Sequence, residues 1–265
     1  MKGNADMLYF RLFTLFALAA AAVLIDAGTI PARPKDAEGG QAVMARVADL
    51  PTVEREGILL KEIVGGNLPE FLRTFKSIRV EAKDSAGVSH TAVFETMPDY
   101  LAVGSDSDFA RTPLTPMTAL RIAARFGCAL PTRKMVDAIY VQADVKLEPR
   151  PMIESREAVR TFLEHNVIVE AQRAGKPLGL LVAGIKKDVV QSVRLLEKPN
   201  RVAIYGWHKL DGSPIQPLTI VHRDTYVDYS HGIRLIRQSL LVDGKPTTLA
   251  AVLADPSLKI LLTDE

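Results

Sequence analysis

Three of the five histidines in this chain, His208, His222 and His231, fall between residues 201 and 236, together with its only tryptophan, Trp207. Asp224, Tyr226, Asp228, Tyr229 and Ser230 lie among them. Titratable groups this dense within apolar, strand-like runs are costly to bury, so they are expected to line a site rather than fill a core. Imidazole supplies a base near neutral pH, and a carboxylate can orient it or share a metal with it.

Three chemistries fit these residue types. In the first, Cys128 is a nucleophile, His231 its base, and Asp228 or Asp243 the orienting carboxylate. In the second, His208, His222 and His231 hold a metal with Asp224 or Asp228, although their long spacing matches no compact ligand motif. In the third, the cluster itself does acid–base work or recognises a polar ligand. Trp207, His208, His222, Tyr226, Tyr229 and Ser230 then bind substrate, with Trp207 offering a flat face to a sugar. Strand alternation would place Tyr226, Asp228 and Ser230 on one face and Tyr229 and His231 on the other, unless a turn intervenes.

A helix-associated cysteine followed by a strand-borne histidine resembles papain-like folds and the NlpC-type peptidoglycan hydrolases. That resemblance implies Cys128 as nucleophile and His231 as base. In place of the Asp-Cys-Ser-Gly of the NlpC-type enzymes, this chain has Phe-Gly-Cys-Ala-Leu-Pro. The segment Tyr-Val-Asp-Tyr-Ser-His-Gly, with Leu130-Pro-Thr-Arg-Lys-Met-Val-Asp upstream, is also similar to a group of exported bacterial proteins, a likeness that brings no mechanism with it.

The whole chain sets the bounds. Its 265 residues are 48% hydrophobic and 24% charged with a formal net charge of +2, an ordinary globular composition without the basic face of a nucleic-acid protein. Lys2 and Arg11 precede the apolar run LFTLFALAAAAVLI at 12–25, which suits a signal-peptide core better than a membrane span. Residues 1–32 therefore read as a signal peptide, or alternatively an uncleaved anchor, with cleavage after Ala27 or Ala32. An exported protein, periplasmic or secreted, with one cysteine has no internal disulfide. No P-loop or G-x-G-x-x-G is present, and the pattern implies no cofactor.

The elements that must position the candidate residues follow from periodicity and caps. A Pro/Gly-containing linker at 33–40 precedes helices between 41 and 64, and short strands follow at 78–82, 91–95 and 100–103. Thr115-Pro116 and Thr132 start a helical hairpin with Cys128 in its connection, and Ser155 caps a further helix. Lys186-Lys187-Asp188 reads as a solvated helix start, and His165-Asn166 as surface or capping groups. Later strands are expected at 202–205, 218–222 and 233–242, with turns at Asp211-Gly212 and Asp243-Gly244. The expected fold is α+β, with N-terminal helices and a helical hairpin packed on a mixed or antiparallel sheet formed mainly by the C-terminal half. One domain spans 41–265, with a possible division near 146–152. The function expected is hydrolysis of a cell-envelope or extracellular polymer by the Cys/His pair, with contact to a membrane only through the N-terminal segment. A non-enzymatic carbohydrate- or envelope-binding protein and a His-ligated metal-dependent hydrolase are the alternatives.

Overall fold

Residues 28–265 are described by a computed structural model, so the apolar run at 12–25 lies outside them. Among the described residues no helix is long and apolar enough to cross a membrane. Residues 28–39 pack onto the body instead of forming a free tether. Ile30 is buried, Arg73 donates to the Pro31 carbonyl (2.9 Å), and Arg33 bonds Asn67 and the Gly104 carbonyl (3.1 Å each).

Helices α1 (Gly40–Arg46) and α2 (Thr52–Val64) bury Val43, Met44, Leu59 and Ile63 in the main core. Pro116 opens α3 (Pro116–Arg125) as its sequence signals require. The cap, however, comes from elsewhere. The buried Glu56 carboxylate on α2 accepts from Thr115 N (2.7 Å), from the Thr115 hydroxyl (2.5 Å) and from the Thr118 hydroxyl. A carboxylate at a helix N-terminus satisfies free N–H groups and opposes the positive end of the dipole. Thr132 does cap α4 (Arg133–Gln142), accepting from Met135 N at 3.2 Å.

The fold is α+β, but the expected single C-terminal sheet is two sheets. In the first, β1 (Lys76–Lys83), β2 (Ser89–Thr96), β12 (Ile236–Val242) and β13 (Lys245–Thr248) run in that order, all antiparallel, with β5 (Cys128–Ala129) also on β12. Two of its strands therefore come from before residue 100. The pairing of Leu240 with Phe94 and Val242 with Ala92 puts four buried side chains into one core. The second sheet has the order β10 (Pro214–Thr219), β9 (Ile204–His208), β8 (Lys187–Val189), β11 (His231–Gly232), with β11 parallel to β8. Two small ladders, β3 (Ala102–Ser105) with β4 (Asp108–Arg111) and β6 (Val145–Lys146) with β7 (Val182–Ala183), complete the strands.

Two sequence expectations fail here for one reason, burial of polar side chains. Lys186-Lys187-Asp188 is not a solvated helix start: it leads into the buried strand β8, where Lys186 and Asp188 are 2% and 3% exposed. His165 and Asn166 are not surface groups either. Helix α5 (Val159–Arg173) begins after a left-handed Ser155 (φ 46°) rather than at a Ser155 cap, and it turns both residues inward. Asn166 there accepts from Arg111 (3.0 Å) and donates to the Phe109 carbonyl (3.1 Å).

Candidate functional site

Helix α4 buries Met135, Val136 and Ile139, and its neighbouring stripe carries Arg133, Asp137 and Tyr140 at helical spacing. That stripe faces the hairpin of β9 and β10. His208 Nε2 lies 3.0 Å from Asp137 Oδ1, and the Tyr205 hydroxyl donates to the same oxygen at 2.7 Å. Tyr205 and His208 are three residues apart, so in a regular strand they would face opposite ways. The backbone breaks the alternation: Gly206 has φ 106° and Trp207 φ 57°. Positive φ costs little at glycine, but for a bulky residue such as tryptophan it is strained, and such strain concentrates at functional positions. Here it brings both side chains onto one carboxylate.

Tyr140 stacks on the His208 ring with centroids 4.5 Å apart, and Lys146 Nζ lies 5.1 Å from the Tyr140 ring centroid. These groups line an open groove of about 450 Å³ together with Leu210, Asp211 and Pro214. Burial, followed by its bond to Asp137, raises the Tyr205 hydroxyl to about 12, so it serves as a donor throughout the physiological range.

The remaining expected residues gather on the far side of β8. His231 pairs with Lys187 of β8, and Lys187 pairs with Gly206 of β9. His231 is thus two strand spacings from β9, roughly 10 Å. The segment before it is a turn, with His231 N donating to the Asp228 carbonyl at 3.1 Å. Asp228 is nearly saturated. One oxygen accepts from Arg156 (2.7 and 3.1 Å) and Tyr226 (2.8 Å), the other from Ser230 N (2.8 Å) and the Ser230 hydroxyl (2.5 Å). Burial works to raise its pKa, but the adjacent His231 and these donors together hold it well below the carboxylate range. His222 stacks on Tyr226 at 4.4 Å, and Tyr226 meets His231 edge-on at 5.7 Å. Burial lowers His231 to about 4, which leaves it neutral near pH 7 with Nδ1 buried and unpartnered.

Beneath this cluster the Lys186 ammonium reaches the Tyr229 carbonyl and lies 3.1 Å from His165 Nδ1. Burial, and then Arg111, brings Lys186 down to about 7, and burial with Lys186 takes His165 to about 2. Tyr229 is fully buried, its hydroxyl accepting from Met152 N at 2.6 Å, so it does not reach a ligand from the surface.

No family model, curated protein or solved structure matches this chain. What the site can do rests on its own geometry.

That geometry places the other expected groups as follows. Cys128 lies on β5, buried, with its thiol donating to the Phe126 carbonyl (3.4 Å) and no hydrogen bond to His231 or Asp228. Burial raises it to about 11, opposite to the direction a nucleophilic thiolate needs. Asp243, the other orienting carboxylate considered, is bonded to His90 at 2.7 Å. The three imidazoles do not converge: His208 is on Asp137, His222 on Tyr226, and among the described residues no three His, Cys, Asp or Glu side chains are grouped to hold a metal. Trp207 offers no face to a sugar. It is 4% exposed, with Lys187 4.9 Å over its ring and Tyr229 at 6.4 Å on its side.

Asp137, Tyr140 and Tyr205 are not singled out by the sequence. The signal available was the Arg133–Asp137–Tyr140 spacing, a polar stripe on an otherwise apolar helix beginning at a clear cap. Only His208, of the nine residues expected to act or bind, lies in the open groove.

Proposed function

We propose that the protein is a hydrolase of a polar cell-envelope or extracellular polymer. His208 is its acid–base group, Asp137 the residue that orients it, and water the nucleophile. The observation that carries this reading is the 3.0 Å bond between His208 Nε2 and Asp137 Oδ1, two residues that line an open groove. A carboxylate on Nε2–H fixes the tautomer and leaves Nδ1 as the basic nitrogen. The groove volume of about 450 Å³ is in the range of small-ligand sites, and Lys146 and Asp211 place charges at its rim. Export is supported by the sequence at 12–25, which lies outside the described residues.

A carbohydrate-binding module would present aromatic faces to solvent. Tyr140, Tyr205 and Trp207 are each 5% exposed or less, which counts against their stacking on a sugar. The test is release of soluble fragments from insoluble envelope polymer by the wild type and by His208→Ala, with melting curves to verify folding. Loss of general acid–base catalysis should lower turnover by about 10²- to 10⁴-fold while the protein still sediments with the polymer. Wild-type turnover in a folded His208→Ala protein would end this reading.

A further inference from the structure

Strand alternation divides the three residues that enter β8. Lys186 and Asp188 turn into the core, so Lys187 between them faces the other side of the sheet, half-buried, with Nζ 4.9 Å from the centre of the Trp207 ring. His231, in register with Lys187 on the parallel strand β11, leaves the sheet on that same face. Arg156, its side chain 36% exposed, joins the group through its pair with Asp228. None of these residues lines the groove of His208 and Asp137.

This cluster has more donors than acceptors. An ammonium, a guanidinium and an indole only donate, while a neutral imidazole donates once and accepts once. Asp228 is the carboxylate among them, and its two oxygens already take bonds from Arg156, Tyr226 and Ser230. Arg156 spends Nε and Nη2 on Asp228, which leaves Nη1. Lys187 has no carboxylate partner among the described residues, since Asp228 pairs with Arg156. Burial lowers the Lys187 pKa, and Asp228 offsets that only in part. Two neighbours of Lys187 are buried with a ring nitrogen unpartnered: Trp207, 4% exposed, at Nε1, and His231, 1% exposed, at Nδ1. Buried polar groups are paired as a rule, so two open ring nitrogens next to an unpaired ammonium point to a partner from outside the chain.

We propose that this face of β8 binds a phosphate group, free or esterified, whose oxygens accept from Lys187, Arg156 and the Trp207 indole. Phosphate suits the cluster better than a carboxylate does, because it offers more oxygens to donors that come from β8, β9 and the turn before α5. Its charge also meets a net positive cluster, Lys187 and Arg156 against Asp228. The site is separate from the His208–Asp137 pair and stands or falls independently of the hydrolase reading.

Trp207 is the only tryptophan in the chain, so in proton NMR its indole N–H gives a single reporter signal. Titration of the protein with inorganic phosphate at constant ionic strength should shift that signal saturably. Lys187→Gln, at a half-buried position outside the core, should weaken binding about 10-fold to 100-fold, as expected for loss of a charged hydrogen bond. Acetate should bind more weakly than phosphate. Glycerol phosphate that binds as tightly as phosphate identifies an esterified ligand, and weaker binding identifies the free anion. An indole signal that moves no more with phosphate than with chloride overturns the proposal. So does equal affinity in a folded Lys187→Gln protein, or acetate binding as tightly as phosphate. His208→Ala separates the two readings. It should lower turnover and leave the phosphate titration unchanged, whereas unchanged turnover there would end the hydrolase reading and leave this site standing.

Discussion

His208 Nε2 and Asp137 Oδ1 are 3.0 Å apart although 71 residues separate them in the chain. A helix and a strand with a left-handed tryptophan have to meet for that bond to exist. Because Asp137 is half-buried at the groove rather than in the core, it can be changed without emptying the interior.

Asp137→Asn should keep the fold and lose the carboxylate that orients His208. Turnover on envelope polymer is expected to fall by about 10²-fold or more, with little change in the substrate concentration needed for half-maximal rate. Tyr205→Phe removes one donor to the same oxygen and should cost less, about tenfold. Steady-state kinetics on the two variants tests the order; a larger loss in Tyr205→Phe contradicts it.

Cys128 should resist alkylation in the folded protein up to about pH 9 and react once denatured, since its thiol is buried and raised to about 11. Intact mass after iodoacetamide treatment reads this directly. Cys128→Ala should retain turnover. Loss of activity on alkylation of the native protein would restore the thiol mechanism.

Stability should depend on pH through four buried groups, not all of the same sign. His165 and His231, lowered to about 2 and about 4 from an ordinary 6.5, are protonated in the unfolded chain but not in the folded one as pH falls below 6.5. Acid therefore removes stability through them. Asp188, which burial raises to about 6 from 3.8, is protonated in the folded state first and adds stability over the window from pH 6 down to 3.8. Two imidazoles against one carboxyl leave a net uptake of about one proton on unfolding between pH 6 and 4.5. Asp188→Asn should raise it to about two. Lys186, lowered to about 7 from 10.5, makes stability rise as pH goes from 7 to 10.5, and Lys186→Met should flatten that rise. Urea midpoints across pH measure all three slopes; a wild-type slope independent of Asp188 would contradict the assignment.

Glu56→Ala strips the N-terminus of α3 of its acceptor and leaves the Thr115 N–H buried without a partner. The expected loss is about 2–3 kcal/mol by equilibrium urea unfolding. Glu56→Gln, which keeps one acceptor oxygen, should lose less. A difference within error between wild type and Glu56→Ala would mean that Thr115 caps α3 alone.

Local chemistry was legible along the chain. Thr132 caps its helix, Pro116 opens another, and Asp211-Gly212 and Asp243-Gly244 turn their hairpins, because caps and turns depend on neighbours a few residues away. The α+β class followed from the same periodicities. Burial of titratable groups was not legible: Lys186, Asp188 and His165 look like surface residues until partners such as the Tyr229 carbonyl, Tyr100 and Arg234 come in from distant segments. The histidine-rich segment was found, but not how it divides. Strand alternation allows Tyr205 and His208 only opposite faces. The positive φ at Gly206 and Trp207 and the arrival of α4 place both on Asp137, while β8 separates them from His231 and Asp228. Short-range geometry belongs to the sequence by itself. Which carboxylate meets which imidazole was decided by packing between elements, because no local interaction carries information across 71 residues.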